Sequence, residues 1–150
     1  MKVLFICTGN TCRSPMAEAI ARKEAARRGL TGYELQSAGM SAAPGARVAK
    51  HAVEAMAARG LDIDLRPARQ VDAQMVMEAD IVQAMTAEQQ SMLREALPQS
   101  ARKIATIGEF AGTGEDVEDP YLGTPMDYER TARQLEDLVG RMLDHLCGSA

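Results

Sequence analysis

The sequence predicts an α/β protein with a doubly wound parallel sheet. Short apolar runs of strand-forming residues alternate along the chain with segments that have helical spacing. The first run, residues 3–6, is apolar throughout, as in a parallel strand that is buried on both faces. Because ligands of such sheets bind at the carboxyl ends of the strands, we expect the functional site directly after residue 6.

The first helix is predicted over residues 16–28. Its alanine-rich sequence carries apolar residues at helical spacing. Ser14 has the residue type of an N-cap, Pro15 suits the first helical position, and Gly29 ends the helix. The segment that follows the first strand therefore enters a helix almost at once.

A second strand and two further helices are predicted next. Residues 33–37 alternate between polar and apolar side chains, as a strand does. After a loop of small residues, residues 46–59 have helical spacing and end at Gly60. A short helix is expected over 72–77. The order strand, helix, strand, helix supports the fold class.

The third and fourth strands are predicted over residues 81–85 and 103–107. Between them, Thr86 and Gln89 form the pattern of a capping box, which starts a helix that runs to Ala96. This helix would connect two neighbouring parallel strands.

The C-terminal part combines a long loop with a final helix. Residues 108–124 contain four glycines and a proline between the last strand and the helix. Loops of this length are usually functional. The helix begins near Pro125 and carries one apolar stripe that would pack on the sheet, made of Leu135, Leu138, Val139, Met142 and Leu146.

Composition limits the classes of function. With 150 residues, 46% of them hydrophobic, the chain can form one core, and we expect a single domain over 1–150. The net charge of −4 and the lack of basic runs argue against nucleic-acid binding. The N-terminal apolar run is too short for a signal peptide, and no stretch has the length of a membrane span. The number of cysteines is odd, at three, which argues against a disulfide framework and favours reduced thiols. We expect a cytoplasmic protein without membrane contact.

One stretch carries the chemistry, and it follows the first strand: Cys7-Thr8-Gly9-Asn10-Thr11-Cys12-Arg13-Ser14-Pro15. A loop that leads into a helix points its backbone N–H groups at one spot and so forms a cradle for a phosphoryl group. Gly9 and Asn10 suit the tight turns of such a loop. No Gly-Lys-Ser/Thr follows, which excludes a nucleotide-binding Walker loop.

Two side chains of this loop predict a reaction. The guanidinium of Arg13 can hold two phosphoryl oxygens at once, on which charge collects in the transition state. The same positive environment, with a hydrogen bond from the Ser14 hydroxyl, favours the thiolate of Cys7. The sequence therefore predicts a phosphatase with a cysteine nucleophile.

Phosphoryl transfer to sulfur also needs a proton donor for the leaving group and a base for water. The long loop offers Asp116, Glu118 and Asp119. Asp119 is distinguished by the neighbouring Pro120 and Tyr121, although Asp-Pro is also an ordinary turn signal. The choice stays open on spacing alone. His51 and His145 lie within helical patterns, and we expect neither a metal site nor a cofactor.

The motifs together resemble the low-molecular-weight protein tyrosine phosphatases. The resemblance covers essentially the whole chain, and it rests on residues 3–18, Ser37-Ala38-Gly39, Ala68-Arg69-Gln70 and Asp119-Pro120-Tyr121. It implies a three-layer α/β/α fold with a four-stranded parallel sheet. It also implies a phosphocysteine intermediate on Cys7, transition-state binding by Arg13 and general acid/base catalysis by Asp119.

The same resemblance implies roles around these three residues. Asn10, Ser14 and Ser37 are expected to support the loop through hydrogen bonds. Met40 and Tyr121 are expected to line the cleft. The loop as a whole is expected to bind the substrate, through Thr8, Gly9, Asn10, Thr11, Cys12 and Ser14.

Two positions depart from the usual pattern of the family. Thr11 stands where an aliphatic residue is common, and it resembles the protein arginine phosphatase branch. Its hydroxyl could help to orient a guanidine leaving group, although a neutral loop variant is the alternative. Leu122 stands where many members have a second tyrosine, which thins the aromatic wall beside Tyr121.

Cys12 has two readings. It could form a disulfide with an oxidised Cys7 and so protect the nucleophile, which the resemblance supports for the paired loop cysteines. The alternative is a small buried residue. Cys147 is expected to be incidental.

Four functions compete. The leading hypothesis is a monomeric protein arginine phosphatase that acts on phosphorylated proteins and releases inorganic phosphate. The second is a phosphotyrosine phosphatase with the same machinery. An arsenate reductase would need a further cysteine pair near residues 80–90, which this chain lacks. A non-catalytic phosphate-binding module would need neither Asp119 nor the Cys7 thiol.

Overall fold

A four-stranded parallel sheet forms the centre of the computed structural model, which describes residues 1–148. The strands are β1 (Lys2–Cys7), β2 (Glu34–Gly39), β3 (Ile81–Ala84) and β4 (Ile104–Thr106). They are arranged in the order β2-β1-β3-β4, and every neighbouring pair is parallel. The predicted fold class is confirmed.

Helices cover both faces of the sheet. They are α1 (Arg13–Arg27), α2 (Lys50–Ala57), α3 (Ala73–Glu78), α4 (Ala87–Ala96), α5 (Ile107–Ala111) and α6 (Pro125–Gly148), with a 3-10 turn at Pro98–Lys103. Helices α1, α2, α5 and α6 pack together on one face, whereas α3 and α4 cover the other. None of the helices within residues 1–148 combines the length and hydropathy that crossing a bilayer requires.

Strand β1 supplies both cores, which explains its unbroken apolar sequence. Val3 and Phe5 point into the core beneath α1 and α6, and Leu4 and Ile6 point into the core beneath α3 and α4. Burying each such side chain contributes about 1.5–3 kcal/mol to folding. The predicted stripe of α6 packs on the first of these cores, with Leu135, Leu138, Val139 and Met142 fully buried and Leu146 partly so.

The helix predicted over residues 46–59 is shorter than expected. It begins only at Lys50, because the backbone before it bonds to other loops. The N–H of Ala49 donates to the Thr11 carbonyl at 2.8 Å, and the Ala46 carbonyl accepts from the Ala68 N–H at 2.9 Å. Residues 46–49 therefore connect the loop that follows β1 to the segment around Ala68.

The long loop predicted over residues 108–124 begins instead with helix α5. The Thr106 hydroxyl caps this helix by accepting from the Glu109 N–H at 2.9 Å, and Gly112, with φ +87°, ends it. A helix of five residues has no periodic pattern from which it could be predicted. The irregular segment is residues 112–124, and it brings Asp119 back to the sheet.

The end of β1 lies at the topological switch point of the sheet, where the strand order reverses. The chain moves from β1 to β2 on one side, and later to β3 on the other. A crevice therefore opens beyond Cys7. The capping box of α4, with Thr86 and Gln89, is confirmed, and it lies at the end of the neighbouring strand β3.

Candidate active site

The loop between β1 and α1 is held in a tight curl. The carbonyls of Cys7 and Thr8 accept from the N–H groups of Met40 and Ser41 at 2.9 and 2.8 Å. Asn10 has φ +55°, a left-handed conformation that asparagine tolerates. A Cβ on Gly39 would lie 2.7 Å from the Thr8 carbonyl oxygen, so only glycine fits beside the loop.

Two donors point at the sulfur of Cys7, which is 1% exposed. The Asn10 N–H donates to Sγ at 3.3 Å, and the Ser14 hydroxyl lies 2.9 Å away. The Arg69 N–H donates to Asn10 Oδ1, which fixes the amide so that its Nδ2 donates to Ser14 Oγ at 2.8 Å. The Ser14 proton is then free to be donated to Cys7 Sγ, where it stabilises negative charge.

The prediction of Ser14 as the N-cap is wrong. Helix α1 begins at Arg13, with Cys12 in the N-cap position and no side chain capping it. The Ser14 hydroxyl is buried between Cys7 and Asn10 and cannot reach back to the helix terminus. The first N–H groups of α1 are therefore left without a side-chain cap, as an anion-binding terminus requires.

Ser37 connects the loop to a buried ion pair. Its Oγ accepts from Asn10 Nδ2 at 2.9 Å and from Arg66 Nη2 at 2.7 Å. Arg66 also pairs with Glu18, which is 1% exposed and lies 3.0 Å from Arg22. Arg66 and Glu18 could not be predicted as supports of the site, because this contact joins α1 to an irregular segment 48 residues away.

Arg13 is 4% exposed and is oriented by a distant part of the chain. Its Nη1 donates to the Val117 carbonyl at 3.0 Å. Its Nη2 lies 3.5 Å from Thr8 Oγ1 and 3.4 Å from Asp119 Oδ2. The Val117 carbonyl thus holds Nη1, while Nη2 faces Thr8 and Asp119. The carbonyl of Val117 could not be predicted, because any residue type can provide it.

Asp119 lies at the mouth of this loop, with 43% of its side chain exposed. Its Oδ1 accepts from the Tyr121 N–H at 3.0 Å and from the Cys12 thiol at 3.5 Å. Its Oδ2 lies 3.4 Å from Arg13 Nη2, so the carboxyl borders both the guanidinium and the mouth of the loop. Asp116, an alternative candidate, instead accepts from the Ala87 N–H at 3.0 Å.

Cys12 is buried beside two acidic groups. Burial raises the pKa of its thiol to about 12, and the nearby negative charges of Cys7 and Asp119 add to this effect. Cys12 is therefore a protonated thiol at neutral pH, consistent with its role as a donor to Asp119.

The rim of the site is formed by residues of intermediate or high exposure. Thr11 and Met40 are half-buried, and Tyr121 is 63% exposed. Leu122 is 85% exposed and has φ +63°, a conformation that leucine rarely adopts. Within residues 1–148 there is no group of three or more His, Cys, Asp or Glu side chains that could hold a metal ion.

The arrangement combines the parts that phosphoryl transfer requires. A sulfur with two hydrogen-bond donors lies at the base of an anion cradle, a fixed guanidinium borders it, and a carboxyl is positioned at its mouth. A phosphoryl group in the cradle would meet a nucleophile on one side and a proton donor on the other.

Comparisons with known proteins agree with this chemistry. Residues 2–148 match the family described as "Low molecular weight phosphotyrosine protein phosphatase". The protein-arginine-phosphatase of Bacillus subtilis is 34% identical over 97% of each chain, and that of Geobacillus stearothermophilus is 37% identical over 97% of this chain and 95% of the relative.

Solved structures are similar over nearly their whole length. The low molecular weight protein tyrosine phosphatase from T. tengcongensis is 39% identical, with a TM-score of 0.92 over 96% of this chain and 98% of that one. The C7S mutant of YwlE arginine phosphatase, with a phosphorylated active site serine, is 33% identical, with a TM-score of 0.93 over 97% of this chain and 95% of that one. The chain is a cysteine-dependent phosphatase and belongs to the low molecular weight phosphotyrosine protein phosphatase family.

Proposed function

We propose that this chain is a protein arginine phosphatase, which hydrolyses phosphoarginine in proteins and releases inorganic phosphate. Two relatives that are 34% and 37% identical are named protein-arginine-phosphatases, and both are matched over at least 95% of their length. The observation that carries the proposal is the threonine at position 11.

The first half of the reaction transfers the phosphoryl group to sulfur. Cys7 Sγ attacks phosphorus, and the bond from phosphorus to the guanidine nitrogen breaks. Arg13 and the backbone N–H groups of the loop bind the three phosphoryl oxygens while charge collects on them. The carboxyl proton of Asp119 passes to the leaving nitrogen, which departs as a neutral guanidine and then takes a further proton from water.

The second half releases phosphate. Asp119, now ionised, accepts a proton from water as the water oxygen attacks phosphorus. The bond from phosphorus to sulfur breaks, and Cys7 leaves as a thiolate, which receives the Ser14 hydroxyl proton in a hydrogen bond. The same carboxylate thus serves both halves, and the proton that it takes from water replaces the one that it gave to the leaving group.

Thr11 has the position and the freedom to act on the leaving group. Its carbonyl is fixed by the Ala49 N–H, whereas we find no hydrogen bond from its Oγ1 to any group within residues 1–148. A Cβ on Gly9 would lie 3.3 Å from this Oγ1, so the hydroxyl lies over the loop backbone. It is therefore available to accept a hydrogen bond from a guanidine N–H.

A phosphotyrosine phosphatase is the second candidate. Tyr121 is 63% exposed beside Asp119 and offers an aromatic wall for an aryl ring. Several relatives are named protein-tyrosine-phosphatases, among them one from Ralstonia solanacearum that is 34% identical over 85% of this chain and 83% of the relative. The two candidates share one mechanism and differ in the leaving group.

Exchanging Thr11 for isoleucine should change the substrate preference. We expect the parent to prefer phosphoarginine peptides over phosphotyrosine peptides of the same sequence. Thr11→Ile should lower the ratio of the two kcat/KM values by about fivefold to tenfold, since one hydrogen bond to the guanidine is lost. Steady-state kinetics on both peptides measure this ratio.

Thr11→Val is the matched control for this experiment, because it removes the hydroxyl with almost no change in shape. It should lower the ratio as Thr11→Ile does, whereas Thr11→Ser should keep it near the parental value. A parent and a Thr11→Ile variant that both prefer phosphotyrosine would contradict the arginine assignment.

Cys7 and Cys12 also form a proposed redox pair. Mild peroxide would convert Cys7 to a sulfenic acid, and Cys12 would then displace water to form a disulfide. Because the pKa of Cys12 is about 12, its thiolate is scarce at neutral pH, and closure should be faster at pH 9 than at pH 7. Peptide mass spectrometry at both pH values measures the disulfide. Direct oxidation of Cys7 to sulfinic acid at both would exclude the pair.

A further inference from the structure

Gln89 has more than one task at the start of α4. Its Oε1 accepts from the N–H groups of Met85 and Thr86 at 3.0 and 3.1 Å, which completes the capping box. The side chain is 6% exposed at the end of β3, next to the crevice. These two bonds fix which end of the amide is oxygen, and therefore direct its Nε2 away from the helix.

That Nε2 reaches the loop after β1. It donates to Thr8 Oγ1 at 3.1 Å, and Arg13 Nη2 lies 3.5 Å from the same oxygen. An amide NH₂ and a guanidinium can only donate, so Thr8 Oγ1 is an acceptor toward both. The Thr8 hydroxyl proton must therefore be donated elsewhere.

The remaining direction for this proton is the cleft. Thr8 directly follows the nucleophile, its side chain is exposed, and its oxygen lies beside the guanidinium that borders the anion cradle. A phosphoryl oxygen can only accept hydrogen bonds. A hydroxyl that is already an acceptor on its protein side is thus prepared to donate to such an oxygen without reorientation.

We propose that Gln89 is a positioning residue, which holds the Thr8 hydroxyl as a hydrogen-bond donor to the bound phosphoryl group. The inference rests on the phosphatase function of this loop and holds for phosphoarginine and phosphotyrosine alike. It also connects α4, on one face of the sheet, to a loop that leads into α1 on the other face. The competing explanation is that Gln89 only caps α4.

A double-mutant cycle separates the two explanations. Calorimetric titration with inorganic phosphate gives Kd for the parent, Thr8→Val, Gln89→Met and the double variant, and does not depend on turnover. We expect Thr8→Val to weaken phosphate binding about threefold to tenfold, the effect of one hydrogen bond, and Gln89→Met to weaken it by a similar factor. In the Thr8→Val background, Gln89→Met should change Kd less than about twofold.

Two controls address stability and shape. Gln90→Met removes the neighbouring amide of α4, which bonds to the Ile104 carbonyl and to Glu109, and should alter thermal stability but not Kd for phosphate. Thr8→Ser keeps the hydroxyl and should bind phosphate within about twofold of the parent. Should Gln89→Met fail to fold, Gln89→Asn replaces it in the cycle, because its amide is one methylene shorter, so it cannot both cap α4 and reach Thr8, and it adds no charge beside the anion cradle.

The proposal would be overturned if the Gln89 substitution weakened phosphate binding equally in both Thr8 backgrounds, or left it unchanged in the parent. Either result would leave capping as the role of Gln89. Failure of the phosphatase function is distinguishable, since it would appear as absent turnover in a parent that still binds phosphate.

Discussion

Cys7→Ser should lose phosphatase turnover by a factor of at least about 10⁴ while still binding phosphate. A serine hydroxyl at this buried position has no general base beside it, and its oxygen is a far weaker nucleophile than a thiolate. The cradle, however, is built from backbone N–H groups and Arg13, which the substitution does not touch. Steady-state kinetics and calorimetric titration with inorganic phosphate measure the two quantities.

Cys12→Ser is the matched control for this substitution. It makes the same exchange of sulfur for oxygen five residues further along the loop, and it retains a donor to Asp119. We expect it to keep most of the turnover. Retained turnover in Cys7→Ser would exclude the thiol mechanism, and loss of phosphate binding would show that the sulfur is needed for the shape of the loop.

Asp119→Ala should lower kcat by about 10²–10⁴-fold, the usual contribution of a general acid or base. The loss should be greatest for phosphoarginine, because a guanidine leaves poorly without a proton, and smallest for an aryl phosphate with an acidic phenol. Turnover should also depend on pH, because phosphoryl transfer to Cys7 needs Asp119 protonated, whereas release of phosphate needs it ionised. Kinetics on a series of leaving groups test this dependence.

Glu118→Gln is the control for Asp119→Ala. Glu118 is exposed in the same loop. Turnover by the Glu118→Gln variant should stay within about twofold of the parent, the range expected of a surface substitution. An equal loss in both variants would point to the charge of the loop rather than to proton transfer by Asp119.

The residues that act on the phosphoryl group were predictable because most of them are consecutive. Cys7 and Arg13 are separated by five residues at the boundary between a strand and a helix, where the pattern itself indicates an anion site. Asp119 needed a second signal, the resemblance to a known family, since Asp-Pro on its own also marks a turn. What the structure adds is its position, 3.4 Å from Arg13.

The residues that hold this machinery in place could not be predicted. Ser14 has the type and place of an N-cap, but tertiary partners bind its hydroxyl and override the local preference. Gln89 was predicted only as a cap, because its second bond joins residues 81 positions apart. The Val117 carbonyl and the Arg66 ion pair are also long-range contacts, of which a local pattern carries no trace.

The central claim is that the phosphoryl group passes through Cys7, and the most direct measurement is the location of that group during turnover. Asp119→Ala slows release as well as transfer, so an aryl phosphate with a good leaving group should allow the intermediate to accumulate. Rapid quenching followed by peptide mass spectrometry should find one added phosphoryl group on the peptide of residues 3–13, absent in Cys7→Ala. Phosphorylation at any other residue, or turnover by Cys7→Ala, would contradict the account.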